Sequence, residues 1–134
     1  MTGSHSIVMI VDDDTSIRKS ARRLMKSYGF AVETFASAEE FLGSDRLDKT
    51  SCLILDVHMP GMNGLELQQR LVASGSVIPI IFITAFADDS ARSQALKAGA
   101  VGYLAKPFDD KELLNCINAA LRPDRRDASQ LTPT

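Results

Sequence analysis

The sequence predicts a single α/β domain in which five buried parallel strands alternate with five helices. Two observations carry that prediction. Short apolar runs recur along the chain, and each is followed by apolar residues at helical spacing. A third observation bounds it: 134 residues are enough for one respectable core in one domain.

The first run, Ile7–Val11, is a continuous apolar pentad rich in β-branched residues, as expected of a strand covered on both faces. Ile17, Ala21, Leu24, Met25 and Tyr28 follow at helical spacing, and Gly29 supplies a stop. Residues 31–35 form a second strand, and Ser37 with Glu40 makes a capping box for a short helix ending near Gly43. Leu53, Ile54 and Leu55 form a third strand, followed by a loop through Gly64 and a helix carrying Leu65, Leu67, Leu71 and Val72. Residues 79–83 are a fourth strand, after which Ala91, Ala95 and Leu96 mark a helix closed by Gly99. Residues 101–104 are the fifth strand. The last helix opens on a second capping box, Asp109 with Glu112, and carries Leu113, Leu114, Ile117 and Leu121 before Pro123. Residues 1–121 are therefore read as the domain, and residues 122–134, charged, polar and proline-containing, as a linker or tail.

The formal net charge of −2 argues against these residues gripping nucleic acid by themselves, because such binding rests on a strongly basic face. No apolar run reaches the roughly 18 residues that a membrane span needs, and the first six residues lack the pattern of a signal peptide. A cytoplasmic protein is expected, with Cys52 and Cys116 as reduced, buried thiols.

In an open α/β sheet, ligands bind beyond the carboxyl ends of the strands. Asp12, Asp13 and Asp14 follow the first strand, Asp56 the third, Thr84 the fourth and Lys106 the fifth, so the candidate reactive groups share one edge. Clustered carboxylates repel one another unless a cation joins them, and an all-oxygen set suits Mg²⁺ or Mn²⁺. Lys106 adds a mobile positive charge for an incoming phosphate, and Thr84 a hydroxyl donor. These parts suit phosphoryl transfer with Asp56 as the nucleophile. No glycine-rich phosphate loop follows the first strand, which disfavours nucleotide binding.

Four motifs, Val11-Asp12-Asp13, Leu55-Asp56-Val-His-Met-Pro-Gly-Met-Asn-Gly64, Ile83-Thr84-Ala85 and Lys106-Pro107-Phe108, resemble those of the receiver domains of bacterial response regulators. The resemblance covers about residues 7–121. It implies a flavodoxin-like sheet in the order 2-1-3-4-5 and a phosphoryl group accepted on Asp56 from a sensor histidine kinase. It implies that Asp13, Asp56 and the main-chain carbonyl of His58 hold the metal, with Asp12 acting largely through water. Lys106 would pair with the phosphoryl oxygens, with a cis peptide bond into Pro107. Thr84 would move toward the phosphoryl group, and Tyr103 would turn inward as the aromatic switch. The implied output surface, including a homodimer, is the face of the fourth helix, fifth strand and fifth helix. The chain would catalyse only its own phosphorylation and dephosphorylation. His58 and Phe86 depart from the commonest pattern at the pocket rim, and a bulky Phe86 is expected to restrict the attacking water and prolong the phosphorylated state.

Gln130-Leu131-Thr132-Pro133-Thr134 resembles the opening of a LuxR-type helix-turn-helix domain. These residues are read as the receiver part of a FixJ-like transcription factor, which would bind DNA only through a further C-terminal domain; the alternative is a native polar tail on a stand-alone receiver. Two rival readings remain. One is a receiver-like interaction module that is never phosphorylated. In the other, Asp12-x-Asp14-x-Ser16 is similar to the nucleophile motif of haloacid-dehalogenase-type phosphatases, with Asp12 as nucleophile, Asp14 as acid/base and Asp88-Asp89 as distal metal carboxylates.

Overall fold

A computed structural model describes residues 6–86 and 88–121. Five strands, β1 (Ile7–Val11), β2 (Ala31–Phe35), β3 (Cys52–Asp56), β4 (Ile80–Thr84) and β5 (Gly102–Ala105), alternate with five helices. The helices are α1 (Thr15–Ser27), α2 (Ala38–Leu42), α3 (Gly64–Ala73), α4 (Asp89–Lys97) and α5 (Asp110–Leu121). All neighbouring strands pair in parallel, in the order β2-β1-β3-β4-β5. The expected doubly wound architecture and strand order are both present.

Because side chains alternate across a strand, the sheet divides the core in two. Met9, Val11, Leu53, Leu55 and Phe82 point to one face, where Phe41 of α2, Leu67 and Leu71 of α3 and Ala95 of α4 cover them. Val8, Ile10, Ile54, Ile81 and Ile83 point to the other, covered by Ala21 and Met25 of α1 and Leu113 and Ile117 of α5. Burial on both faces explains why these strands read as unbroken apolar runs.

The third strand extends one residue beyond its apolar run at each end, and the fourth and fifth are displaced by one residue, so that Asp56 and Thr84 end β3 and β4 instead of following them. Asp56 pairs with Ile83, and Thr84 with Ala105. Polar residues at a strand's last rung still make its hydrogen bonds, and side-chain polarity does not mark that boundary. A single 3₁₀ turn at Leu47–Lys49 was not anticipated. Val72, expected on the apolar side of α3, is about half exposed. Cys52 is buried as expected, whereas Cys116 is only partly so, and neither forms a disulfide.

Local capping sets where the helices begin. Asp14 accepts from the amides of Ser16 at 2.8 Å and Ile17 at 3.3 Å. Ser37 accepts from Glu40 N at 3.0 Å, but the Glu40 carboxylate reaches Ala36 N instead of completing the box. The last helix shows the Glu112 half of its box, accepting from Asp109 N at 3.1 Å. A full box that the sequence reading missed opens α3, with Asn63 and Glu66 each accepting from the other's amide.

No helix among the described residues is long and apolar enough to cross a membrane. The proposed linker and the Leu-Thr-Pro stretch, residues 122–134, lie outside the described residues. Replacing the α1 cap, Asp14→Ala, is expected to lower unfolding stability by about 1 kcal/mol, with Asp14→Ser recovering most of the loss in urea denaturation.

Candidate functional site

The strand order reverses at β1, whose neighbours β2 and β3 lie on opposite sides. At such a point the connections leave toward opposite faces and open a crevice at the carboxyl edge. Asp12 and Asp13 enter it from the end of β1, and Asp56 from the end of β3.

One carboxylate oxygen from each of Asp12, Asp13 and Asp56 lies within 4.8 Å of the others. Asp12 and Asp56 are buried, and Asp13 is exposed. The lysine after β5 closes the group: Lys106 Nζ is 3.1 Å from Asp12 Oδ2 and 3.9 Å from Asp56 Oδ1. Its amide donates to the Thr84 carbonyl at 2.7 Å, which ties the ends of β4 and β5 together, and the peptide bond into Pro107 is cis, as expected. Asp12 also accepts from Asp14 N at 2.9 Å.

Two further residues, Arg18 and Gly64, frame the crevice. Arg18 Nη1 donates to the Asp12 carbonyl at 2.8 Å and Nη2 to Thr15 Oγ1 at 3.1 Å, bracing the turn that presents the acidic pair. Gly64 packs so closely under Asp56 that a Cβ there would collide with the Asp56 carbonyl oxygen. Its amide donates to Val57 O at 2.9 Å. Gly64 belonged to the family motif, but its backbone role is visible only in three dimensions. Arg18 sits at an ordinary helical surface position, which carries no signal of its own.

Thr84 is buried, and its hydroxyl is engaged by its own loop. It accepts from Phe86 N at 3.1 Å and donates to Phe86 O at 3.2 Å. Phe86 is 71% exposed and meets the ring of His58 edge to face, with centroids 5.8 Å apart. The two rim residues singled out by sequence thus touch. Tyr103 lies on β5 with its ring 6.3 Å from that of Phe82. Its hydroxyl is buried beside the Asp88 backbone, and burial pushes the phenol above its usual range.

The residues of the phosphatase rival do not assemble in this way. Asp14 and Asp88 cap α1 and α4, and neither Asp88 nor Asp89 joins the metal-capable group.

The response regulator receiver domain family matches residues 8–118. The chain belongs to that family. Nodulation protein W of Bradyrhizobium diazoefficiens is 47% identical over 121 residues, covering 90% of this chain and 53% of the relative. The structure of the response regulator StyR is similar with a TM-score of 0.83 at 45% identity, over 96% of this chain and 66% of that one. The crystal structure of FixJ-N is similar with a TM-score of 0.78 at 37% identity, over 87% of this chain and 93% of that one. The chain spans about half the length of the curated relatives it matches.

Within this receiver domain, burial and the Asp12 carboxylate push Asp56 up to about 7 from an ordinary 3.8, opposed by Lys106. Receiver domains bind Mg²⁺ at an aspartate cluster, and the oxygen-only donors here fit such a hard cation. In metal-free solution the folded chain holds a proton on Asp56 that the unfolded chain has lost between about pH 4 and 7. The native state binding more protons means that stability falls as pH rises through that window. Asp56→Asn is therefore expected to match wild-type stability near pH 4 and to exceed it by on the order of 1–3 kcal/mol at pH 8. Thermal or urea denaturation across pH, with and without Mg²⁺, checks this, and Mg²⁺ should narrow the gap.

Proposed function

We propose that Asp56 accepts a phosphoryl group from a sensor histidine kinase and that this shifts the domain between two arrangements of its loops. The observation that carries the reading is the crevice itself: two buried carboxylates sharing Lys106, with an exposed third, Asp13, at the entrance. Asp13, Asp56 and the His58 carbonyl would hold a divalent cation, with Asp12 acting largely through water, and the ion would supply positive charge that draws the phosphodonor in and offsets charge in the transition state.

The chain's own residues do the rest. An ionised Asp56 oxygen forms the new bond to phosphorus while the bond from phosphorus to the donor's imidazole nitrogen breaks. The electron pair stays with the imidazole. Lys106, now bonded to Asp12, is within reach to turn to the phosphoryl oxygens. Thr84 can donate to them only by giving up Phe86 O. The added group brings about −1.5 to −2 charges at neutral pH if ordinary phospho-side-chain values apply. Contacts that Thr84 and Lys106 make in only one loop arrangement then shift the population toward it. Tyr103, packed beneath α4, is the residue through which the face of α4, β5 and α5 would read the change and form a homodimer.

In this reading the chain is a phosphoacceptor in the cytoplasm. It performs only its own phosphorylation and dephosphorylation, and serves transcription through a DNA-binding domain that follows it in the whole protein. The relatives entitled transcriptional regulatory proteins, TdiR and FixJ, support that last step.

Incubation with acetyl phosphate and Mg²⁺ is expected to add the mass of one phosphoryl group, trapped by borohydride at Asp56 and absent from Asp56→Asn. An adduct on Asp12 with steady phosphate release would instead support a phosphatase. No adduct from acetyl phosphate or a kinase donor would support a phosphorylation-independent module. The edge-to-face contact of Phe86 with His58 places an apolar ring at the rim, where it would hinder a water approaching in line. Phe86→Ala is expected to shorten the lifetime of the phosphorylated state several-fold, read from the decay of the adduct, whereas an unchanged lifetime would mean the ring merely packs there.

A further inference from the structure

The loop from β3 to α3, residues 57–63, must hold one conformation if the His58 carbonyl is to face the crevice. Its two ends are fixed locally. At the start, His58 N lies 3.4 Å from Asp56 Oδ1. At the finish, Gly64 N bonds Val57 O at 2.9 Å and the Asn63–Glu66 box closes the turn into α3. The middle is reached from elsewhere in the chain: Glu39 of α2 extends its carboxylate to Met62 N, where Oε2 accepts at 3.0 Å across 23 residues of sequence.

A second feature fits that approach. Gly61 has φ +74°, and a Cβ there would lie 2.8 Å from Glu39 Oε2. Only glycine suits both that backbone conformation and the closeness of the carboxylate. The loop thus bares its backbone where Glu39 enters. The Met62 amide in turn holds the Glu39 carboxyl below the usual carboxylate range, with Arg70 adding a smaller pull in the same direction. Hydrogen bonds from a backbone amide to a carboxylate are among the stronger kind.

We propose that Glu39 is a positioning residue for the phosphorylation site, holding the β3–α3 loop through Met62 so that the His58 carbonyl is presented to the divalent cation. This rests on the reading of the aspartate crevice as a Mg²⁺ site. Glu39 touches neither the cation nor the phosphoryl group. It acts as outer partners of metal ligands do, by removing alternative orientations of the ligand. An exposed carboxylate with a purely structural role would instead fix the short helix α2, and its loss would be felt in stability and not in metal affinity.

The test uses the full chain and Mg²⁺ alone, titrated by calorimetry or by amide chemical shifts, with thermal unfolding in metal-free buffer beside it. Glu39→Ala is expected to weaken Mg²⁺ binding several-fold and to slow phosphorylation by acetyl phosphate in proportion at subsaturating Mg²⁺. Saturating Mg²⁺ should restore most of the rate, and metal-free stability should change little. Glu39→Gln, which keeps an oxygen acceptor for Met62 N, should recover most of the affinity. Gly61→Ala should weaken Mg²⁺ binding in the wild type but cost less in the Glu39→Ala background, where the carboxylate it would strike is gone. Unchanged Mg²⁺ affinity in Glu39→Ala, or a loss confined to metal-free stability, overturns the proposal. Asp13→Asn serves as the control. If it leaves Mg²⁺ affinity intact, the reading of the crevice as the metal site fails. If it abolishes binding while Glu39→Ala does not alter it, Glu39 alone is misassigned.

Discussion

Two buried carboxylates and one lysine set the terms for this molecule. Asp12 and Asp56 cannot both be comfortably ionised with only Lys106 between them, and Asp56 answers by holding its proton up to about pH 7. Everything around the crevice keeps that imbalance in place. Arg18 braces the Asp12 carbonyl, Gly64 lets the chain pass directly under Asp56, and the rung between Lys106 and Thr84 joins the lysine to the end of β4. A site built from well-matched charges would have no use for a cation or an added anion. Here the carboxylates outnumber the nearby lysine, and their oxygen-only set suits a hard cation.

That cluster depends in turn on the parallel, doubly wound sheet. The acidic pair and Asp56 come from strands far apart in sequence, and they meet because β1 and β3 are neighbours at the reversal of strand order. The register brings Val11 level with Leu55, so the next residues on the two strands, Asp12 and Asp56, face each other across the crevice. A slip of one residue would turn every side chain of a strand to the other face, and it would also move one carboxylate out of reach of the lysine.

Much of this could be read from the amino acids alone. Unbroken apolar runs identified the strands because both faces are covered, and the reactive residues lay at their ends because the fold puts ligands there. Less was legible where the backbone decides. The ends of β3 and β4 carry polar side chains whose main-chain bonds are ordinary strand bonds, so Asp56 and Thr84 looked like loop residues. Val72 fits the apolar period of α3 yet faces solvent, since a short helix over a twisted sheet covers less than its period suggests. Arg18 and Glu39 act on main-chain groups, one six residues away and the other 23, and a bond to a carbonyl or an amide leaves no complementary side chain to notice. Gln68 is buried on α3 with its amide donating to Ala95 O of α4 at 3.0 Å, and a lone glutamine in a helical period looks no different from one facing solvent.

The division of the interior by the sheet has its own consequence. Tyr103 packs into the layer shared with α2, α3 and α4, whereas Leu104, its neighbour in sequence, packs into the layer of α1 and α5. The sheet therefore works as a partition between two rooms that share a wall but not their furniture. Repacking in the room beneath α4 need not disturb the packing of α1 against α5. If phosphorylation repacks the side beneath α4 as proposed, the other side could serve as a stationary reference, and a surface reading the change would have a fixed frame against which to measure it.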